Sequence, residues 1–139
     1  MRIFLDANVL FSAPKSAGAI HQLLTLAMKQ KHALCADEYV AAEARRNLQA
    51  KAAPDAIERL DTLLMKIEVS PARMDATEAE SIAWLLEKDR PVLAAAIRLK
   101  CDALVTGDVA HFGAGFGKRF GGVTLYSPRM LYDAISKST

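Results

Sequence analysis

Only two of the 139 residues are cysteine, Cys35 and Cys101, and neither belongs to a Cys-x-x-Cys pair. That excludes a disulfide scaffold and a zinc ribbon, and in their apolar surroundings both read as buried, reduced thiols. Aromatic residues make up 6% of the chain, so the core has to be built from aliphatic side chains. Neither sign of charge dominates: 18 Lys and Arg against 16 Asp and Glu leave a net +2, too mild to mark a nucleic-acid binder. No apolar run approaches the roughly 18 residues of a membrane span, and Asp6 interrupts the first apolar stretch before a signal-peptide core is complete. The expectation is a cytoplasmic protein with no membrane association. What is abundant is hydrophobic residues, 52% of the chain, with 24% charged, which excludes disordered, collagenous and coiled-coil classes and fits one domain spanning residues 1–139.

The hydrophobic pattern alternates between two periods. Ile3-Phe4-Leu5, Ala33-Leu34-Cys35-Ala36, Ala103-Leu104-Val105-Thr106 and Val123-Thr124-Leu125-Tyr126 are short continuous runs, the signature of strands buried on both faces of a parallel sheet. A briefer strand is expected around Ile67-Glu68-Val69, ended by Pro71. Between these runs apolar residues recur at helical spacing: Ile20, Leu23, Leu24, Ala27 and Met28, then Val40, Ala41, Ala44 and Leu48 behind an Asp37 cap, then Ile57, Leu60, Leu63 and Leu64 after Pro54. Thr77-Glu78-Ala79-Glu80 has the form of a capping box, predicting a helix that buries Ile82, Leu85 and Leu86, with Trp84 in the core. Pro91 and Ser127-Pro128 open two more helices. Strands alternating with helices give a three-layer α/β/α fold with a central parallel sheet.

Residues 113–122 form a glycine-rich stretch carrying Phe116, Lys118, Arg119 and Phe120, read as a mobile loop. It is not a phosphate loop: Phe112 stands where the Walker pattern needs glycine, and Arg119 where it needs Ser or Thr. The dinucleotide fingerprint fails as well, since Phe120 replaces its third glycine and Asp6-Ala7-Asn8 follows the first strand. ATP and NAD binding are both disfavoured.

Open parallel sheets bind ligands beyond the carboxyl ends of their strands, so the residues just after each strand carry the functional signal. Four acids meet that test. Asp6 ends the first strand, Asp108 follows Thr106-Gly107, Asp89 precedes Arg90-Pro91 as a helix N-cap, and Glu43 lies in the second turn of the helix after the second strand. Parallel strands put all four on one rim. Crowded carboxylates repel unless a cation lies between them, and no basic residue at an equivalent strand end is placed to pair with Asp6. The pattern suits a hard ion, Mg²⁺ or Mn²⁺, and the phosphodiester hydrolysis such ions support.

Asp6-Ala7-Asn8 after an apolar strand, Glu43 with Arg46-Asn47-Leu48, Asp89-Arg90-Pro91, and Leu104-Val105-Thr106-Gly107-Asp108 through Phe112 resemble, in order and spacing, the PIN-domain family. The resemblance covers essentially the whole chain, and small members of that family include the VapC-like toxins of bacterial toxin–antitoxin pairs. It implies a metal-dependent endoribonuclease acting on RNA, with Asp6, Glu43, Asp89 and Asp108 as the acidic site and Asn8 and Thr106 as supporting groups. It also implies a homodimer restrained by a cognate antitoxin. Arg46, Lys118 and Arg119 are candidate phosphate contacts, with Phe116 and Phe120 either stacking a base or anchoring the loop. His111 reads as a turn residue packing with Phe112, since metal-assisted hydrolysis needs no histidine base.

Three rivals remain. A catalytically silent PIN-like module would bind RNA or a partner without cutting. A receiver domain needs an acid after the third strand, where Ser70-Pro71 stands, and a haloacid-type phosphatase needs Asp-x-Asp, where the second position is Asn8.

Overall fold

The computed structural model describes residues 1–51, 53–73 and 80–137, and it places Ile3, Phe4 and Leu5, all wholly buried, in a central strand of a six-stranded sheet. The strands are β1 (Arg2–Leu5), β2 (Ala33–Asp37), β3 (Glu68–Ser70), β4 (Ala103–Val105), β5 (Arg119–Phe120) and β6 (Val123–Tyr126). Their order is β3-β2-β1-β4-β6-β5. The first five in that order run parallel, with Phe4 opposite both Cys35 and Leu104, and Leu104 opposite Leu125. Only β5 is antiparallel, paired with β6.

The helices are α1 (Ala7–Ser12), α2 (Ala19–Lys29), α3 (Glu38–Ala50), α4 (Pro54–Met65), α5 (Arg90–Arg98), α6 (Val109–Phe112) and α7 (Pro128–Ser136). Among them α3 packs on both α1 and α4, and α2 packs on α7. The result is the three-layer α/β/α fold with an essentially parallel central sheet. Local chemistry explains the starts. The side chains of Asp6, Asp37, Asp108 and Ser127 accept backbone N–H groups at the heads of α1, α3, α6 and α7, while Pro54, Pro91 and Pro128 occupy first turns that need no N–H. Cys35 and Cys101 are buried and free, as thiols.

The structure departs from the sequence reading at several elements. The short α1 had no separate sequence signal; it exists because Asp6 serves at once as strand end and helix cap, with Ala7, Val9 and Leu10 turned inward. Thr77 lies outside the described residues, and residues 80–89 form two short 3-10 turns, Glu80–Ile82 and Glu87–Asp89, in place of a continuous helix. Ile82 and Leu85 are buried as expected, but Leu86 is 55% exposed. Trp84 is 36% exposed and stacks on Phe120, ring centroids 4.7 Å apart, so it covers the edge of the sheet and does not enter the core.

The glycine-rich stretch is not an irregular loop. It holds a 3-10 turn at Gly113–Gly115 and the edge strand β5, and it turns into β6 through Gly121 (φ +55°) and Gly122 (φ +87°), a left-handed backbone that glycine adopts without strain.

Candidate metal centre

The site is built from the ends of the two central strands. Asp6 follows β1, and its backbone N–H donates to the Val105 carbonyl at 3.1 Å, so the ladder carries it to the rim of the sheet. Its side chain is only 6% exposed. Oδ1 accepts the Ala7 N–H at 2.8 Å, while Oδ2 accepts the Thr106 hydroxyl at 2.7 Å and the Asn8 amide at 3.2 Å. Asn8 ties the two strand ends together: its amide also donates to Thr106 Oγ1 at 3.1 Å and its carbonyl accepts the Gly107 N–H at 2.8 Å. Thr106, wholly buried, accepts the Asp108 N–H in turn.

Burial pushes the Asp6 carboxyl above its ordinary range. The hydrogen bonds from Thr106 and Ala7 oppose that shift, and the charges of Glu43 and Asp108 add to it. Among the described residues no Lys or Arg ion-pairs with Asp6.

The second half of the site is Asp89 and Asp108. Asp108 Oδ1 accepts the His111 N–H at 3.1 Å and so caps α6. Asp89 precedes α5 in sequence as expected, but its side chain makes no capping hydrogen bond. It turns instead toward His111, whose Nδ1 is 2.9 Å from Asp108 Oδ2 and 3.3 Å from Asp89 Oδ2. The expected packing of His111 as a turn residue is thus corrected: Phe112 alone enters the core, and the His111 ring is held between two carboxylates. One ligand atom from each of Asp89, Asp108 and His111 lies within 4.8 Å of the other two.

Asp6, Asn8, Asp89 and Asp108 line a cleft of about 480 Å³ together with Glu43, Tyr39, Asn47 and Lys88, and His111 lies behind Asp89 and Asp108 without lining it. Glu43 arrives from α3, as its second-turn position requires. Burial, then the negative charges of Glu43 and Asp89, hold the Tyr39 hydroxyl above its usual pKa. Four carboxylates line the cleft and Lys88 is its one basic lining residue. Arg46, Lys118 and Arg119 are exposed and do not line it; Lys118 and Arg119 lie at the sheet edge, and Phe120 is engaged by Trp84. Asn47 stands in the Arg46-Asn47-Leu48 block of the resemblance without a site role there, and Tyr39 and Lys88 were missed because surface residues of those types carry no signal until the fold aims them inward.

The donor set fits a divalent cation. Asp89 Oδ2 is buried and accepts no hydrogen bond, with His111 Nδ1 near enough for an ion pair but not aligned to donate. A buried carboxylate oxygen left in that state is costly, and a hard cation would satisfy it.

A sequence model for the PIN domain matches residues 2–110, and the chain belongs to that family. No functionally curated protein is significantly similar in sequence. Solved structures that share the fold include the following three. VapBC2 from Rickettsia felis, bound to a DNA fragment from its promoter, is 17% identical with a TM-score of 0.64, over 91% of this chain and 98% of that one. VapC20 of Mycobacterium tuberculosis, described as a sarcin–ricin loop cleaving toxin, is 15% identical with a TM-score of 0.61, over 85% and 98%. FitAB bound to the IR36 DNA fragment is 18% identical with a TM-score of 0.61, over 91% and 94%.

Proposed function

We propose that this chain is a single-domain, metal-dependent endoribonuclease that hydrolyses RNA phosphodiester bonds, and that it acts as the toxin of a toxin–antitoxin pair. The observation that carries this reading is the convergence of Asp6, Glu43, Asp89 and Asp108 on one cleft, with Asp89 Oδ2 buried and without a hydrogen bond. Membership of the PIN-domain family supports nuclease chemistry. The likeness to VapBC2, VapC20 and FitAB supports the toxin role and a proteinaceous antitoxin partner, and a homodimer as the working unit is part of the same proposal.

In this reading Asp6, Asp89, Asp108 and Glu43 hold Mg²⁺ or Mn²⁺. When bound, the ion supplies Lewis-acid polarisation of a phosphoryl oxygen, neutralises the charge developing there and activates water for attack. Asn8 and Thr106 position Asp6: their hydrogen bonds fix its Oδ2 and tie the two strand ends together. Lys88 is placed at the cleft to neutralise a phosphate of the strand. Arg46, Lys118 and Arg119, outside the cleft, contact flanking phosphates.

The test is cleavage of a mixed RNA pool by the purified protein beside an Asp6→Asn, Asp108→Asn double variant, both checked for folding by circular dichroism. Metal-dependent cutting lost in the folded variant is expected. Undiminished cutting by that variant would refute the assignment, and RNA binding without cutting under any metal would replace it with a silent binding module.

A further inference from the structure

His111 touches two of the acids and has no part in the function proposed above. α6 is a single turn, and its cap returns the His111 ring to Asp108, the residue that starts it. Nδ1 stands 2.9 Å from Asp108 Oδ2 and 3.3 Å from Asp89 Oδ2. Two donors bound side by side to one ion through bonds of about 2.1 Å lie about 3.0 Å apart in octahedral geometry and about 3.4 Å apart in tetrahedral geometry. Both observed spacings match ligand atoms of a shared ion. A purely structural histidine would be expected to satisfy the acids it touches, yet Asp89 Oδ2 accepts no hydrogen bond from it. The ring is also no core anchor, since its side chain keeps 30% of its surface exposed while Phe112 is buried beside it.

We infer that His111, through Nδ1, is a direct ligand of the divalent cation that Asp89 and Asp108 hold, and that this nitrogen tilts the site away from Mg²⁺ toward first-row transition ions. The inference rests on the nuclease reading only in taking from it that a cation is bound. Mg²⁺ is bound by oxygen donors, whereas an imidazole nitrogen raises affinity along the series from Mn²⁺ to Co²⁺ and beyond.

Mn²⁺ alone, added to the full chain, is the probe. Pulsed electron paramagnetic resonance of the Mn²⁺-loaded protein is expected to show coupling to a directly bound imidazole ¹⁴N, and that coupling disappears in His111→Gln. By calorimetry, His111→Gln is expected to lower Co²⁺ affinity by about tenfold while leaving Mg²⁺ affinity nearly unchanged, since only the former gains from nitrogen. The wild-type spectrum does not depend on the variant folding. Bound Mn²⁺ without nitrogen coupling overturns the role given to His111 and leaves the nuclease reading intact. Failure of Mn²⁺, Co²⁺ and Mg²⁺ alike to bind overturns both.

Discussion

Thr106 shows how much of the site depends on one hydroxyl. It donates to Asp6 at 2.7 Å and accepts from Asn8 and from the Asp108 N–H, all while wholly buried. Thr106→Val keeps the shape and leaves those groups short of a partner, so a loss of about 1–3 kcal/mol in urea unfolding is expected. Asp37 behaves differently. Its Oδ1 accepts the Val40 N–H at 3.1 Å, yet burial raises the carboxyl pKa despite that bond and the nearby Arg98 charge. Folding thus favours the protonated form: the contribution is fully present below the ordinary value of 3.8 and is lost as pH rises through the elevated native value. Asp37→Asn, which retains an acceptor for the cap, is expected to melt higher than wild type at pH 7, with the difference vanishing near pH 3. A gap that widened on acidification would contradict this sign. At this scale Asp6, Thr106 and Asp108 were legible because strand ends in a parallel sheet announce themselves. His111 was not, since only the fold of a one-turn helix brings its ring back to the acids.

Among the elements, the edge of the sheet is where sequence and structure part. The apolar runs of β1, β2, β4 and β6 read directly as buried strands, because residues covered on both faces leave no polar alternation to confuse them. Segment 80–89 carried a helical stripe, but Leu86 faces solvent and Arg90 donates to the Leu85 and Ala83 carbonyls, holding the chain in turns. Trp84 then closes over the glycine-rich stretch, against Gly115 and Phe120. A Cβ at Gly115 would lie 2.5 Å from the Trp84 ring and 3.0 Å from Leu125. Gly115→Ala is therefore expected to cost about 1–3 kcal/mol and to shift the fluorescence of the only tryptophan. An unchanged emission spectrum and an unchanged unfolding midpoint would show that the Trp84 cover is loose.

In the whole molecule, shared strand direction gathers the acids. β1 and β4 are parallel neighbours, so Asp6 and Asp108 emerge on one rim; the helix after β2 brings Glu43 there, and the turn before α5 brings Asp89. That topology was readable from the alternation of short apolar runs and helical stripes, whereas the antiparallel β5 was hidden in a glycine-rich segment. The hydrogen bonds of Asn8 and Thr106 hold Asp6 in place, and in the proposed reading a divalent cation would relieve the mutual repulsion of the four carboxylates. Thermal melts are accordingly expected to move upward on adding Mn²⁺ or Mg²⁺ to wild type, and not in the Asp6→Asn, Asp108→Asn variant. The most direct test of the nuclease account is end-group analysis of RNA incubated with the wild-type protein in Mg²⁺, in Mn²⁺ and in EDTA. Water-driven hydrolysis is expected to give internal cuts with phosphomonoester and free hydroxyl ends, only when metal is present. Cuts that persist in EDTA, or that end in 2′,3′-cyclic phosphates, would contradict it.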